Sequence, residues 1–303
     1  MYNLLTVLGH TAGGKTRFAA CLADRIGGEI IGADSRQVYR RMNLGSGKDY
    51  SDYEVLGRKV PYHLIDIVEP GYQYNVYEYQ KDFYRVFSQI RGRKKMPVLC
   101  GGSGLYIEAV LKGYRLIRVP VNRTLRENLK NKSIEDLSAM LASFKNPHNV
   151  TDTGNLKRLL RALEIEMYYR DHPEFQNEIP NLEPLLLGIR YDRISRRKRI
   201  SLRLHERLRE GMIEEVRDLL AEGVAPEKLI YYGLEYRFIT EYLLGKTSLE
   251  EMTTKLETAI HQFAKRQMTW FRRMERNGAK IHWLDGQLSL EEKLDLSLSL
   301  LET

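Results

Sequence analysis

Eight consecutive residues near the start of the chain carry the clearest chemical pattern: Gly9-His10-Thr11-Ala12-Gly13-Gly14-Lys15-Thr16. Glycines at this spacing before a lysine and a threonine are typical of a phosphate-binding loop, in which backbone N–H groups face an anion. Lys15 would bring a mobile positive charge to a terminal phosphate, and the Thr16 hydroxyl is placed to ligate Mg²⁺. The pattern is common in nucleotide-binding and ATP-binding proteins. The loop alone predicts a phosphate or pyrophosphate, but neither the substrate nor its reaction.

A phosphate-binding loop must connect a strand to a helix, and the flanking residues fit this requirement. Leu4 to Leu8 form a short apolar run that predicts a strand, and Arg17 to Ile26 predict the helix that follows. An ordinary glycine turn between a strand and a helix is the alternative, but the complete order of strand, loop and helix favours the phosphate-binding loop.

Two further polar residues follow predicted strands. Asp34 comes directly after Glu29 to Ala33, and Ser103 follows the run from Met96 through Gly101-Gly102. In open α/β sheets the ligand crevice lies at the carboxyl ends of the strands, so both side chains are expected near the loop. On the residues alone, Asp34 could equally cap the following turn, and Ser103 could belong to a simple tight turn. A further strand is predicted at Tyr62 to Ile67.

Positive charge is concentrated in two segments of the C-terminal half. Arg199, Arg203 and Arg207 have a four-residue spacing, which aligns them on one helical face as either an anion site or a solvated surface. A later predicted helix, residues 258–273, combines an apolar stripe with a basic surface suited to RNA phosphates and bases. The stripe consists of Leu256, Ile260, Phe263 and Phe271, and the basic residues are Lys265, Arg266, Arg272 and Arg273.

Composition limits the class of protein. The chain has 303 residues, a formal net charge of +8 and two cysteines, Cys21 and Cys100, within apolar segments. The positive charge predicts a polyanionic partner, and the two cysteines indicate buried thiols in a reducing compartment. We find no signal peptide and no run long enough to span a membrane, and therefore expect a cytoplasmic protein without a membrane partner.

The pattern of elements predicts an α/β protein with a P-loop NTPase-like or kinase-like core, a parallel sheet and an inserted all-helical subdomain. From about Val121 the chain becomes charged and helical, and Pro173 and Pro180 close this stretch before Leu185 to Ile189 predict a return to the sheet. We therefore place the catalytic core at residues 1–120 and 184–303 and the insertion at 121–183.

Taken together, these motifs resemble the tRNA dimethylallyltransferase (isopentenyltransferase) family. The segments that carry the resemblance are Gly9–Thr16, Asp34–Tyr39, His63–Ile67, Gly101–Tyr106, Leu156–Glu164 and Ala264–Arg272. The resemblance implies transfer of a dimethylallyl group from dimethylallyl pyrophosphate to N6 of the adenosine 3′ to the anticodon, with Mg²⁺ as cofactor. It also implies an inserted helical domain that binds the anticodon stem-loop, and we expect a monomer.

The resemblance assigns roles residue by residue. The loop from Gly9 to Thr16 would bind the pyrophosphate, with Mg²⁺ at Thr16 and Asp34 as the general base. Ser103, where the family usually has threonine, would face adenosine and leaving group. Arg203 is the residue expected to contact the pyrophosphate, with Arg199 as the second choice. The residues expected to contact tRNA are Asp34, Ser35, Arg36, Gln37, Ser103, Lys157, Arg158, Leu159, Leu160 and Arg161.

The chain departs from the family pattern at three places. His10 and Gly13 stand where proline and serine are common, and Leu234-Glu235 stands where many members have tyrosine and a basic residue.

The alternative functions are a small-molecule or nucleoside kinase, a transferase acting on free AMP, and a nucleic-acid-binding protein with a vestigial loop. The basic insertion and the 264–272 motif favour tRNA over the first two, and intact Lys15, Thr16 and Asp34 disfavour the last.

Overall fold

The computed structural model describes residues 2–144, 155–172 and 179–302, and the chain divides into two compact units. The first unit comprises Met1–Tyr114 and Pro180–Thr303, and the second comprises Arg115–Ile179. The boundaries of 121 and 183 inferred from the sequence stay a prediction. The polar segment 151–154 and Pro173 lie outside the described residues.

The first unit is built on a six-stranded sheet in the order β5-β2-β6-β1-β7-β8, in which all neighbouring strands are parallel. Its strands are β1 (Leu4–Gly9), β2 (Glu29–Ala33), β5 (Tyr62–His63), β6 (Pro97–Gly101), β7 (Pro184–Arg190) and β8 (Ile281–Asp285). A separate antiparallel pair consists of β3 (Glu54–Val55) and β4 (Arg58–Lys59). This sheet confirms the predicted α/β class.

The sheet is buried on both faces, which explains why its strands read as continuous apolar runs. Side chains alternate between the two faces: Leu4 and Leu8 of β1 belong to one core, and Leu5 and Val7 belong to the other. Since all the strands are parallel, their carboxyl ends lie at one edge. The loops that follow β1, β2 and β6 therefore meet there.

Helices cover the sheet and surround this edge. In the first unit they are α1 (Lys15–Ile26), α2 (Val76–Gly92), α3 (Gly104–Leu111), α7 (Arg193–Arg209), α8 (Met212–Ala221), α9 (Pro226–Tyr231), α10 (Leu234–Leu243), α11 (Leu249–Arg276) and α12 (Leu290–Glu302). A 3₁₀ turn covers Tyr50–Tyr53. Within the described residues, no helix is long and apolar enough to cross a membrane.

The second unit is helical wherever the structure describes regular elements. Its helices are α4 (Arg123–Leu129), α5 (Ile134–Phe144) and α6 (Leu156–Asp171). They share an apolar core of Leu129, Leu137, Leu141, Leu159 and Leu163. Next to Leu163 of this core, the buried Glu164 carboxylate accepts hydrogen bonds from Arg126 at 2.6 and 2.9 Å.

Two details of the sequence-based prediction are wrong. The strand predicted at Tyr62 to Ile67 extends only over Tyr62–His63, because Leu64 and Asp66 adopt positive φ angles of 59° and 55° that break an extended ladder. Phe263 does not belong to the apolar core face of α11. Its side chain is exposed, and the Arg266 guanidinium lies over its ring at 5.9 Å from the centroid.

Candidate active site

The loop between β1 and α1 has the tight backbone that a phosphate cradle requires. Gly9 has a φ of 151°, and a Cβ atom there would lie 2.6 Å from the Ile189 carbonyl oxygen of the neighbouring strand. Gly14 precedes α1 with a φ of 72°, so the loop enters the helix through a left-handed residue. The first turn of α1 then begins with Lys15 and Thr16.

Lys15 folds back over this loop. Its Nζ donates a hydrogen bond of 2.7 Å to the His10 carbonyl oxygen, which holds the ammonium against the backbone of the loop. Desolvation lowers the pKa of Lys15 to about 8; nearby Cys100 and Asp34 oppose this shift, and Arg203 adds to it. The site thus holds a lysine that is charged at neutral pH and loses its proton earlier than an ordinary lysine.

His10 supplies its backbone, rather than a charge, to the loop. Its imidazole is fully buried, and burial lowers its pKa to about 4, so the ring is neutral at pH 7. Gly13 lies against it: a Cβ atom at Gly13 would be 3.0 Å from the His10 carbonyl oxygen and 3.6 Å from the ring. The two departures from the family pattern are therefore physically coupled, since a side chain at position 13 would crowd the imidazole.

Asp34 and Ser103 meet at the carboxyl ends of β2 and β6, as their positions in the sequence predict. The Asp34 Oδ1 accepts a hydrogen bond of 2.9 Å from the Arg36 N–H. The Ser103 Oγ accepts one of 3.1 Å from the Ser35 N–H, and the Ser103 N–H donates to the Ala33 carbonyl at 3.2 Å. In the described part of the chain, the Asp34 Oδ2 has no hydrogen-bond partner.

The arginine face of α7 runs beside the loop. The Arg199 Nε donates to the Ala12 carbonyl at 3.1 Å, and the Arg203 Nη2 donates to the Gly47 carbonyl at 3.0 Å and to Asp49 at 3.1 Å. Arg207 is buried and pairs with the same Asp49 carboxylate. Because these arginines touch protein groups, the face is not a simple solvated surface. A cavity of about 280 Å³ opens along it, lined by Ala12, Asp49, Arg199, Leu202, Arg203, Glu206, Arg207 and Glu210.

Arg36 and Gln37, the second and third residues after Asp34, are held by separate contacts. The Gln37 Nε2 donates to the Gly47 carbonyl at 3.1 Å, which is the same oxygen that Arg203 contacts. The Arg36 guanidinium lies 5.6 Å from the centre of the Tyr231 ring. The segment from Asp34 to Gln37 is therefore ordered by the loop around Gly47 and by α9.

The residues of α6 for which tRNA contact was predicted differ in exposure. Lys157 and Arg158 are exposed, and Leu160 is half-buried. The Leu159 side chain is fully buried in the core of the helical unit, so it packs there and does not present a surface to RNA. Arg161 donates to the Val119 carbonyl at 2.7 Å and to Glu164 at 2.9 Å.

Glu235 is a site residue whose position the sequence did not reveal. It lies half-buried in the first turn of α10, and its carboxyl makes no ion pair within the described residues. Desolvation raises the pKa of Glu235 to about 7; Arg203 and Arg207 oppose the shift, and Asp34 adds to it. A second carboxyl thus lies near enough to Arg203 and Asp34 for their charges to affect its pKa. The signal in the sequence was the acidic residue at 235, where many family members have a basic one.

Replacing Glu235 by glutamine is expected to stabilise the protein more at about pH 8 than at about pH 5. A carboxyl with an ordinary pKa of 4.5 and a folded value of about 7 costs stability as the pH rises from 4.5 through 7. The full cost is about 3 kcal/mol at most, and water around the half-buried group reduces it. Thermal unfolding at the two pH values measures this, with Glu227→Gln, an exposed acid in the first turn of α9, as the control. Equal shifts at both pH values would contradict the expectation.

The fold and this site together define a class. A parallel sheet whose first strand leads through a glycine-rich loop into a helix, with polar side chains converging at the carboxyl edge, is an α/β protein of the P-loop-like fold.

The comparisons with known proteins identify the family. Residues 37–274 match the family model described as IPP transferase. The chain is 57% identical over 300 residues to tRNA dimethylallyltransferase 1 of Parabacteroides distasonis, covering 99% of this chain and 98% of the relative. It is 58% identical over 294 residues to tRNA dimethylallyltransferase 2 of Bacteroides fragilis, covering 97% and 96%. The chain belongs to the IPP transferase family, which confirms the resemblance seen in the sequence.

A solved structure shows the same fold. The crystal structure of the full-length tRNA isopentenylpyrophosphate transferase from Bacillus halodurans superimposes with a TM-score of 0.73 at 28% identity. The match covers 100% of this chain and 96% of that one.

Proposed function

We propose that the protein transfers the dimethylallyl group from dimethylallyl pyrophosphate to N6 of the adenosine 3′ to the anticodon in tRNA, releasing pyrophosphate. Relatives at 57% and 58% identity over nearly the whole chain are tRNA dimethylallyltransferases, which supports this activity. The observation that carries the proposal for the site is that two chemically different groups follow the carboxyl ends of parallel strands: Lys15 follows β1 through the phosphate-binding loop, and Asp34 follows β2. Lys15, which would hold the leaving group, and Asp34, which would accept a proton, therefore lie at the same edge of the sheet.

In the proposed reaction, the bond between the allylic carbon and the pyrophosphate oxygen breaks and a carbon–nitrogen bond to N6 forms. The adenine amine is a poor nucleophile, so removal of its proton and stabilisation of the leaving group must provide the acceleration. Asp34 accepts the N6 proton at Oδ2, while the Arg36 N–H fixes Oδ1 at 2.9 Å. Ser103, bonded to the Ser35 N–H, borders both the adenosine and the leaving group.

The departing pyrophosphate gains negative charge, and the loop side of the crevice is arranged to stabilise it. Apart from the Thr11 N–H, which donates to Gln267 Oε1, the backbone N–H groups of the loop would face it, together with the N-terminus of α1 and the Lys15 ammonium. Arg203 and Arg199 extend this positive region from α7. Desolvation lowers the pKa of Arg203, yet a guanidinium stays charged throughout the physiological range.

The donor groups at the loop suit Mg²⁺ that is bound mainly through the substrate. In residues 2–144, 155–172 and 179–302, no three or more His, Cys, Asp or Glu side chains are grouped to hold a metal. Mg²⁺ typically keeps several waters and uses substrate phosphates, so the Thr16 hydroxyl at the start of α1 would be one ligand beside water and phosphate oxygens. When bound, the ion would supply positive charge for the leaving group.

Recognition of tRNA is assigned to basic and polar surfaces. The exposed Lys157 and Arg158 of α6 would contact phosphates of the anticodon stem-loop, and Ser35 to Gln37 would contact the target adenosine. The adenine must leave its stack to reach Asp34, as enzymes that modify bases require. We further propose that the protein acts as a monomer and, because its substrate is tRNA, in the cytoplasm.

One assay tests the proposed function. The protein is incubated with dimethylallyl pyrophosphate and Mg²⁺ together with either unmodified tRNA or AMP, and the products are separated by mass. We expect prenylated tRNA and no prenylated AMP. Prenylation of AMP alone would replace tRNA by a free nucleotide as the substrate. Phosphate transfer from ATP, with neither prenylation, would indicate a kinase instead.

A further inference from the structure

The side chain of Gln267 connects two loops of the site that are far apart in sequence. Gln267 lies on the buried side of α11, with 7% of its surface exposed. Its Oε1 accepts a hydrogen bond of 2.8 Å from the Thr11 N–H in the phosphate-binding loop. Its Nε2 donates one of 2.9 Å to the Gly102 carbonyl in the turn that carries Ser103.

Only a side chain with one acceptor and one donor at this spacing satisfies both loops. A carboxylate can accept from Thr11 but cannot donate to the Gly102 carbonyl, and an apolar side chain can do neither. The turn is adapted to the amide, since a Cβ atom at Gly102 would lie 2.5 Å from the Gln267 Nε2. Glycine at this position therefore leaves room for the contact.

The anchoring of α11 does not depend on this amide. Ala264, Met268 and Phe271 of the same helix are buried in the apolar core, on the same side as Gln267. The helix thus has its own apolar packing, and the Gln267 hydrogen bonds act on the two loops rather than on the docking of the helix.

We propose that Gln267 is a positioning residue that holds the phosphate-binding loop and the Gly102–Ser103 turn at the separation that pyrophosphate binding needs. The proposal rests on the proposed function for the identity of the anion. It adds to the site a residue of the 264–272 motif on α11. Loss of the donor alone would release the Gly102–Ser103 turn from α11, while the Thr11 N–H could still donate to the remaining acceptor, so the turn would no longer be held at a fixed distance from the loop.

Binding of inorganic pyrophosphate with Mg²⁺, followed by calorimetry, measures this role without the transfer reaction. In Gln267→Glu we expect the Kd to rise about tenfold or more near pH 8, because the carboxylate repels the Gly102 carbonyl. Near pH 6 the ratio of this Kd to the wild-type Kd should be smaller, because burial beside the Gly102 carbonyl favours the protonated carboxyl, which donates as the amide does. Gln267→Met should bind pyrophosphate weakly at both pH values. Its Kd tests the proposal if Gln267→Glu does not fold.

Gln80 offers a matched control. It is also a buried glutamine, and its Nε2 donates to the Ala109 and Tyr114 carbonyls at 2.8 and 2.9 Å, away from the loop. Gln80→Glu should lower the thermal unfolding midpoint but change the pyrophosphate Kd less than about twofold. A wild-type Kd in Gln267→Glu, or equal weakening in both variants, would overturn the proposal. Absence of tRNA prenylation by the wild type would instead reject the proposed function.

Discussion

Replacing Asp34 by alanine is expected to lower the turnover number for tRNA prenylation about a hundredfold or more, with tRNA binding nearly unchanged. The reason is that Oδ2 is the atom available to take the N6 proton, since Oδ1 is engaged by the Arg36 N–H. A neutral amide at the same place keeps the shape and the Oδ1 contact but cannot accept a proton. Asp34→Asn should therefore be impaired as strongly as Asp34→Ala. Single-turnover kinetics and filter binding of tRNA measure the two effects separately.

The protein contains a matched control for this change in Asp285. Asp285 also ends a strand of the sheet, and its Oδ1 accepts a hydrogen bond of 2.9 Å from the backbone N–H two residues later, as Asp34 does. Asp285→Ala removes the same type of contact between a carboxylate and the backbone, at the end of a different strand, and leaves Asp34 in place. A hundredfold loss in this variant as well would show that turn geometry, rather than proton acceptance, accounts for the effect. Loss of tRNA binding in Asp34→Ala would make Asp34 a recognition residue.

Local patterns predicted the parts of the site that depend on neighbouring residues in the chain. The phosphate-binding loop and the strand ends at Asp34 and Ser103 are properties of short segments. The topological rule for parallel sheets then brings them to one edge. The four-residue spacing placed Arg199, Arg203 and Arg207 on one face of α7, as observed. These features required no knowledge of distant contacts.

Other features depend on contacts between distant segments and could not be read from the chain. Gln267 reaches Thr11 across 256 positions of sequence, so its role emerges only once α11 packs beside the loop. The pKa of Glu235 is raised because the fold desolvates its carboxyl, and the sequence alone does not show which residues will bury it. Phe263 fits the apolar period of α11 but lies at the margin of the buried stripe, where its side chain stays exposed to solvent beside Arg266. Periodicity gives the direction of a side chain but not what packs against it.

Replacing Lys15 by methionine is expected to lower kcat/KM for dimethylallyl pyrophosphate about a hundredfold. The substitution keeps the length of the side chain but removes the charge that lies within the loop, 2.7 Å from the His10 carbonyl. Backbone N–H groups and the arginines of α7 remain, so substrate binding should weaken without disappearing. Steady-state kinetics at saturating tRNA measure the change. A decrease of less than about threefold would show that the loop amides alone hold the leaving group.

The pH profile of the wild type provides an independent measurement of the same charge. Desolvation lowers the pKa of Lys15 to about 8, so the free protein loses this charge as the pH rises through that value. kcat/KM should then decrease above about pH 8, whereas an ordinary lysine would hold it constant to about pH 10. The decrease should be absent in Lys15→Met, whose remaining activity does not use the ammonium.

Lys48→Met is the control. Lys48 is also buried but pairs with Asp66 away from the loop, so this variant should keep the alkaline decrease in kcat/KM. A profile that is flat to about pH 10 in the wild type would mean that Lys15 does not hold the leaving group in the free protein.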